Sequence, residues 1–210
     1  MRRFFRDCGL TLALSTMFLV SLAGMMLSGQ ASFNKELIDH GAPALSLLSY
    51  LETGSFLSAL FENWESEFLQ MATYVVPTAI LFQRGSSESR DPDDPHRPND
   101  ESPWHLRYPM AAWIYAHSLG LVLSLLFLAS FGLHWWFGML AANSEALLHG
   151  AAPETFGGYL LNPQLWFESF QNWQSEFLST AVLVVLSIFL RHQGSPESKP
   201  VAAGNWESGD

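Results

Sequence analysis

Long apolar stretches alternate with short polar ones along this chain, and the length of each apolar stretch decides what it predicts. Cys8 to Gln30 and Tyr108 to Ser144 contain no Asp, Glu, Lys or Arg. A helix crossing a hydrocarbon core of about 30 Å needs roughly 20 apolar residues, so both stretches predict membrane spans, near residues 8–29 and 112–137. Phe68–Phe82 and Phe177–Leu190 are shorter. Extending them back to Trp64 and Trp173 gives spans near 64–83 and 172–190, each with an indole where amphipathic rings favour the membrane interface. Pro77 interrupts the first of these, which a membrane helix tolerates as a kink.

The apolar pattern occurs twice. Phe61-Glu62-Asn63-Trp64-Glu65-Ser66-Glu67-Phe68-Leu69 returns as Phe170-Gln171-Asn172-Trp173-Gln174-Ser175-Glu176-Phe177-Leu178, an offset of 109. Without a gap, Gly85-Ser86-Ser87-Glu88-Ser89-Arg90 falls on Gly194-Ser195-Pro196-Glu197-Ser198-Lys199, and fifteen of the thirty positions over Phe61–Arg90 are identical. Upstream, Asn34, Glu36, His40 and Gly41 meet Asn143, Glu145, His149 and Gly150. The expected architecture is an all-α membrane protein of four transmembrane helices. It forms two parallel two-helix repeats, residues 1–94 and 110–203, with amphipathic interfacial helices in the extracytoplasmic loops. The recurrence also argues that the first apolar run, although Arg2, Arg3 and Arg6 precede it as in a secretory signal, is a retained span.

Basic residues orient the spans. Arg2, Arg3, Arg6, Arg84, Arg90, Arg97, Arg107, Arg191 and Lys199 fall on one side and only Lys35 on the other. By the positive-inside rule both termini and the central segment are cytoplasmic, in a cell (cytoplasmic) membrane protein of multi-pass topology. Each two-span unit returns to its starting side, so the copies are related by a pseudo-two-fold along the membrane normal. Residues 85–109 hold five prolines among Asp, Glu, Ser and Arg, and predict a disordered cytoplasmic linker. Residues 194–210 predict a similar cytoplasmic tail, and the repeated Gly85 and Gly194 read as helix C′ glycines. Phe56, Leu57, Leu60, Phe61 and Trp64 make one helical face, largely repeated by Trp166, Phe167, Phe170 and Trp173.

Composition agrees with a membrane setting: 49% hydrophobic and only 14% charged, against about 25% charged in soluble domains. A formal charge of −10 excludes a nucleic-acid partner, because no basic patch is present to neutralise phosphates. The single cysteine, Cys8, excludes an intramolecular disulfide and a cysteine-based zinc site.

Glu67 and Glu176 are the foremost candidates for chemistry, each set in Asn-Trp-x-Ser-Glu with Asn63, Trp64 and Ser66 or Asn172, Trp173 and Ser175. One reading is a proton or cation relay formed where the two acids approach across the pseudo-two-fold. The other is structural: Asn63 and Asn172 cap helix starts, and acids in a first turn favour the dipole. Glu62 and Glu65 are replaced by Gln171 and Gln174, which leaves one acid per copy in the shared motif. His40 with Glu36 and His149 with Glu145 have helical metal-ligand spacing and are weak candidates, so no metal and no cofactor is expected. His117 and His134 flank the third span opposite Cys8 and Met25, and interfacial hydrogen bonding accounts for them. Thr11/Ser15 and Gly120/Ser124 are small-xxx-small pairs suited to close helix contact. No phosphate loop, nucleophile elbow or HExxH motif is present, so no enzyme is expected.

The two motif copies resemble those of a bacterial family of small duplicated membrane proteins known only as a domain of unknown function, and the likeness covers nearly the whole chain. It implies a bacterial cytoplasmic-membrane protein and brings no site residues. The expected function is a non-enzymatic scaffold, sensor or assembly partner, with the lipid bilayer and protein partners or a second copy as its contacts. The alternative is a small transporter or channel using Glu67 and Glu176.

Overall fold

The computed structural model describes residues 2–96, 100 and 107–209. It is helical, in the order α1 (Arg2–Asp39), α2 (Leu47–Leu51), α3 (Gly54–Thr78), α4 (Pro109–Ala116), α5 (Ser118–Leu148), α6 (Phe156–Tyr159) and α7 (Pro163–Phe189). Among the described residues there is no strand, only an isolated bridge between Asp91 and Asp94. Two helical stretches, Phe5–Asp39 and Ser118–Leu148, are long and apolar enough to cross a membrane. The other two long helices, α3 and α7, have 25 and 27 residues. That is about 37 and 40 Å at 1.5 Å per residue, but α3 carries Glu62, Glu65 and Glu67, and α7 carries Glu168 and Glu176.

Local chemistry explains where the helices stop. Asp39 ends α1 because Gly41 takes φ 75°, and Ala42 N–H donates to Leu37 O at 2.8 Å while Gly41 N–H donates to Ile38 O. This is a Schellman cap, and Gly150 (φ 68°) closes α5 with the same pair of bonds from Ala151 and Gly150 to Ala146 and Leu147. The His-Gly pairs are therefore helix ends. Ser46 Oγ accepts from Ser49 N–H ahead of α2, and Thr155, 109 residues later, accepts from Gly158 N–H ahead of α6.

Some boundaries depart from the sequence reading. The third span was expected at 112–137, yet the helix breaks at His117, where His117 Nδ1 meets Trp113 O and Ser118 Oγ donates to Tyr115 O. Side chains bonding the backbone there compete with the helical ladder. Gly85 and Gly194, both at φ 85°, are not helix C′ residues, since α3 and α7 end several residues earlier. They occupy the positive-φ corner of turns closed by Ser86 N–H on Gln83 O and Ser195 N–H on His192 O. Pro77 lies inside α3, one residue before its end at Thr78. Of the expected linker 85–109, residues 97–99 and 101–106 lie outside the described residues, as does Asp210 of the expected tail.

The chain divides into two compact units. The first comprises Met1–Ala59 and Phe137–Pro153. Tyr50 is buried there against Phe33 and Phe56, over Gly29, whose missing Cβ leaves room for the phenol. Gly54 brings the start of α3 onto the α5 backbone, since a Cβ there would stand 2.6 Å from Ala141 N. The outward face of α1 is strongly apolar, with Leu10, Met17, Leu19 and Val20 exposed.

The second unit comprises Leu60–Trp136 and Glu154–Asp210. Aromatic rings join α5 to α7: Phe127 to Trp173 at 6.0 Å and Phe131 to Trp166 at 5.9 Å. Gly120 lets α5 approach α3 at Val76, where a Cβ would sit 2.9 Å from a Val76 methyl. At the far end, the segments after α3 and α7 fold onto each other. Ser86 Oγ meets Ser187 Oγ at 2.8 Å, and Lys199 Nζ is buried among the carbonyls of Gly85, Gly204, Asn205 and Glu207. Burial, with Arg191 nearby, pulls the Lys199 ammonium below its ordinary pKa.

Candidate functional site

Three helices of the second unit bring four ionisable side chains together. On α3, Glu62 and Glu65 are one turn apart and share a face. Opposite them stands His134 of α5, and α7 supplies Glu168 with Gln164 and Asn172 one turn to either side. The His134 and Glu65 side chains are fully buried, at 0% exposure.

Both ring nitrogens of His134 and both oxygens of Glu65 and of Glu168 have directed partners. His134 Nδ1 lies 2.8 Å from Glu65 Oε2, and Trp173 Nε1–H donates to Glu65 Oε1 at 2.9 Å. On the other side of the ring, His134 Nε2 lies 3.3 Å from Glu168 Oε2, while Gln164 Nε2 donates to Glu168 Oε1 at 2.7 Å. Asn172 Nδ2 donates to Glu62 Oε1 at 2.6 Å. One ligand atom each from Glu62, His134 and Glu168 falls within 4.8 Å of the other two. Tyr159 is buried at the edge, its phenol pushed up to about 12 by burial and by the charges of Glu168, Glu154 and Glu62, so it stays protonated.

A neutral imidazole has one ring N–H and here faces two carboxylates. With that proton on Nδ1 for Glu65, the Nε2 lone pair would confront a Glu168 oxygen. Three carboxylates around one ring leave excess negative charge in a poorly solvated place, which is costly unless a cation or proton compensates it. The chemistry available is cation binding or proton storage.

The sequence-predicted residues divide between this cluster and other places. Asn172 and Trp173 belong to it, as donors to Glu62 and Glu65. Glu176 lies close enough to feel the charge of Glu67, which is exposed, beside the Gln70 Nε2 to Ser179 Oγ hydrogen bond at 2.8 Å. Ser66 and Ser175 donate to the carbonyls of Asn63 and Asn172, and Trp64 meets Phe61 edge-on at 5.5 Å. Asn63 and Asn172 do not cap helices: α3 and α7 begin at Gly54 and Pro163, after Thr53 and Asn162, whose side chains accept the first backbone N–H groups. The first-turn explanation of Glu67 and Glu176 falls with the caps, because both acids lie three turns into their helices.

In the first unit His40 and His149 do approach, with ring centroids 6.1 Å apart. His40 Nδ1, however, is engaged by Glu36 O, and Glu36 and Glu145 complete no metal-binding group with them among the described residues. Sequence reading missed Glu62, Glu65, His134 and Glu168 for a single reason. Their counterparts at the 109 offset are Gln171, Gln174, Met25 and Ala59, so they look like unshared variation. The signal that would have found them is the reverse of the one used. All four are ionisable in one copy and not in the other.

Fold and site together define a helical protein with two helices long and apolar enough to cross a membrane and a buried carboxylate–imidazole cluster. The chain belongs to the family described as Domain of unknown function (DUF6766), whose model matches residues 1–210. No curated protein and no solved structure matches it.

Proposed function

We propose that this is a four-span cytoplasmic-membrane protein made of two parallel two-helix repeats, which acts as a non-enzymatic sensor or assembly partner. Its working part is the buried cluster that α3, α5 and α7 form around His134. The observation that carries this reading is His134, fully buried between Glu65 and Glu168. Ionisable groups beside hydrocarbon are expensive and mark function more often than stability. Both α3 and α7 exceed the roughly 30 Å hydrocarbon thickness, and Glu62, Glu65 and Glu168 of the cluster fall in their first halves, toward the outer interface of the proposed topology.

The repeat reading draws support from pairs of side chains separated by 109 positions. Gln70 bonds Ser179, the Glu88 carboxyl bonds that of Glu197, and, in the other unit, His40 meets His149. The matching Schellman caps at Gly41 and Gly150 and the turns at Gly85 and Gly194 belong to the same series. Reporter fusions at Leu45, Asp100, Thr155 and Asn205 test the topology. They should read outside, inside, outside and inside, and a cytoplasmic signal at Leu45 would refute it.

A transporter or channel is the second reading. It draws on Glu67 and Glu176 and on a groove of about 250 Å³ lined by Gln70, Met71, Tyr74, Ser179, Thr180 and Leu183. A proteoliposome flux assay separates the two. Ion flux by the wild type that is lost in Glu67→Gln/Glu176→Gln sinks the sensor reading, whereas flux absent from both proteins sinks the transporter.

A further inference from the structure

We propose that Glu62, His134 and Glu168 bind one divalent first-row transition-metal ion, with zinc as the best match, at an open three-ligand site. This deepens the sensor reading and rests on it, by naming the class of ligand that the buried cluster takes.

Donor chemistry is the first argument. One imidazole nitrogen and two carboxylates suit zinc and its neighbours, whereas calcium and magnesium call for all-oxygen shells. The three donor atoms already lie within 4.8 Å of one another. A metal–ligand distance of about 2.0–2.2 Å would close such a triangle with small side-chain movements.

The second argument is the arrangement outside the ligands. Metal-binding histidines usually give their other ring N–H to a carboxylate, which fixes the tautomer. Glu65 stands in that place on His134 Nδ1, and Trp173 holds Glu65 in turn. Glu62 and Glu168 each accept a side-chain amide N–H on one oxygen, from Asn172 and from Gln164. All three ligands are therefore oriented by an outer partner, and the direction left on the ring, Nε2, is the one that faces Glu168.

Charge is the third. With the ring neutral, as a metal ligand must be, the three ionised carboxylates carry −3, and a divalent ion reduces this to −1 while removing the clash between the Nε2 lone pair and Glu168. Three protein ligands leave a position for water or for a group from a partner. A closed structural site, by contrast, has four protein ligands.

Zinc binding to the purified full chain in detergent, after chelator stripping and dialysis, tests the site. The wild type should bind about one zinc per chain, with binding lost in Glu62→Gln and in Glu168→Gln. Gln164→Ala removes only an orienting partner from the surface and should weaken zinc about 10–100-fold without affecting folding. The Glu67→Gln/Glu176→Gln protein should bind as the wild type does. A wild type that takes up no zinc, or Glu62→Gln, Glu168→Gln and Gln164→Ala proteins that bind zinc as tightly as it does, would overturn the proposal. Should either Gln variant fail to fold, Gln164→Ala alone decides. The reporter fusions fail independently: correct topology without zinc sinks the metal site, and zinc with the wrong topology sinks the four-span reading.

Discussion

His134 and Glu65 form the pair on which most else at the site depends. Removing His134 leaves the buried Glu65 carboxylate without the ring that meets its Oε2, and stranding a buried charge in this way costs about 3–5 kcal/mol. His134→Ala should therefore lower the thermal midpoint of the purified protein sharply, and a loss below about 1 kcal/mol would mean that water reaches Glu65. Gly54 makes a separate demand at this scale. An Ala side chain there would press on the α5 backbone at Ala141 N, a contact that cannot swing away. Gly54→Ala should cost about 1–3 kcal/mol as overpacking, measurable in the same melt, although Ala is ordinarily the better helix former.

Among elements, the turns after α3 and α7 are the most informative. The Glu88 carboxyl, half-buried and bonded to that of Glu197, is pushed up to about 7 by burial and by that neighbour's charge. The folded protein therefore holds a proton on the pair that the unfolded chain gives up near the ordinary value of 4.5. Between those two values the native state binds more protons, so stability falls as pH rises toward 7 and is complete only below 4.5. Thermal unfolding across this range should show that slope in the wild type and a flatter one in Glu88→Gln. An unchanged slope would mean that the two carboxyls are solvated separately. Amphipathic stripe and apolar stretch run together as the single helices α3 and α7, because nothing in Phe61–Phe68 or Phe170–Phe177 breaks the ladder. The break that does occur, at His117, comes from side-chain bonds to the backbone that no hydropathy pattern records.

For the whole molecule, membrane association explains a surface that water would not tolerate. The membrane-length window of α1 is 0% buried and that of α5 is 11% buried. Buried apolar area is worth about 25 cal/mol per Å², so large exposed side chains such as Leu10, Val20, Met110 and Leu125 need lipid or a partner to cover them. Replacing Leu14, Phe18 and Val20 with Asp should move the protein from the membrane fraction into aggregates or degradation. Stable recovery of that variant in the soluble fraction would count against α1 as a span.

The sequence by itself determined the helical class, the two strongest spans and the recurrence at 109, because these depend on local composition and on short-range order along the chain. It also showed that Glu67 and Glu176 occupy equivalent places. Only the tertiary structure decided that the buried cluster is built from unshared residues, with Glu62 and Glu65 from α3, His134 from α5 and Glu168 from α7. Those residues stand up to 106 positions apart, and no periodicity links them. Their meeting is set by the Gly120 contact and by the Phe131–Trp166–Trp173 packing that fix α3, α5 and α7 against one another. A repeat in sequence reports what two copies have in common, whereas burial in three dimensions gives neighbouring copies different surroundings. Here the chemistry sits where the copies differ.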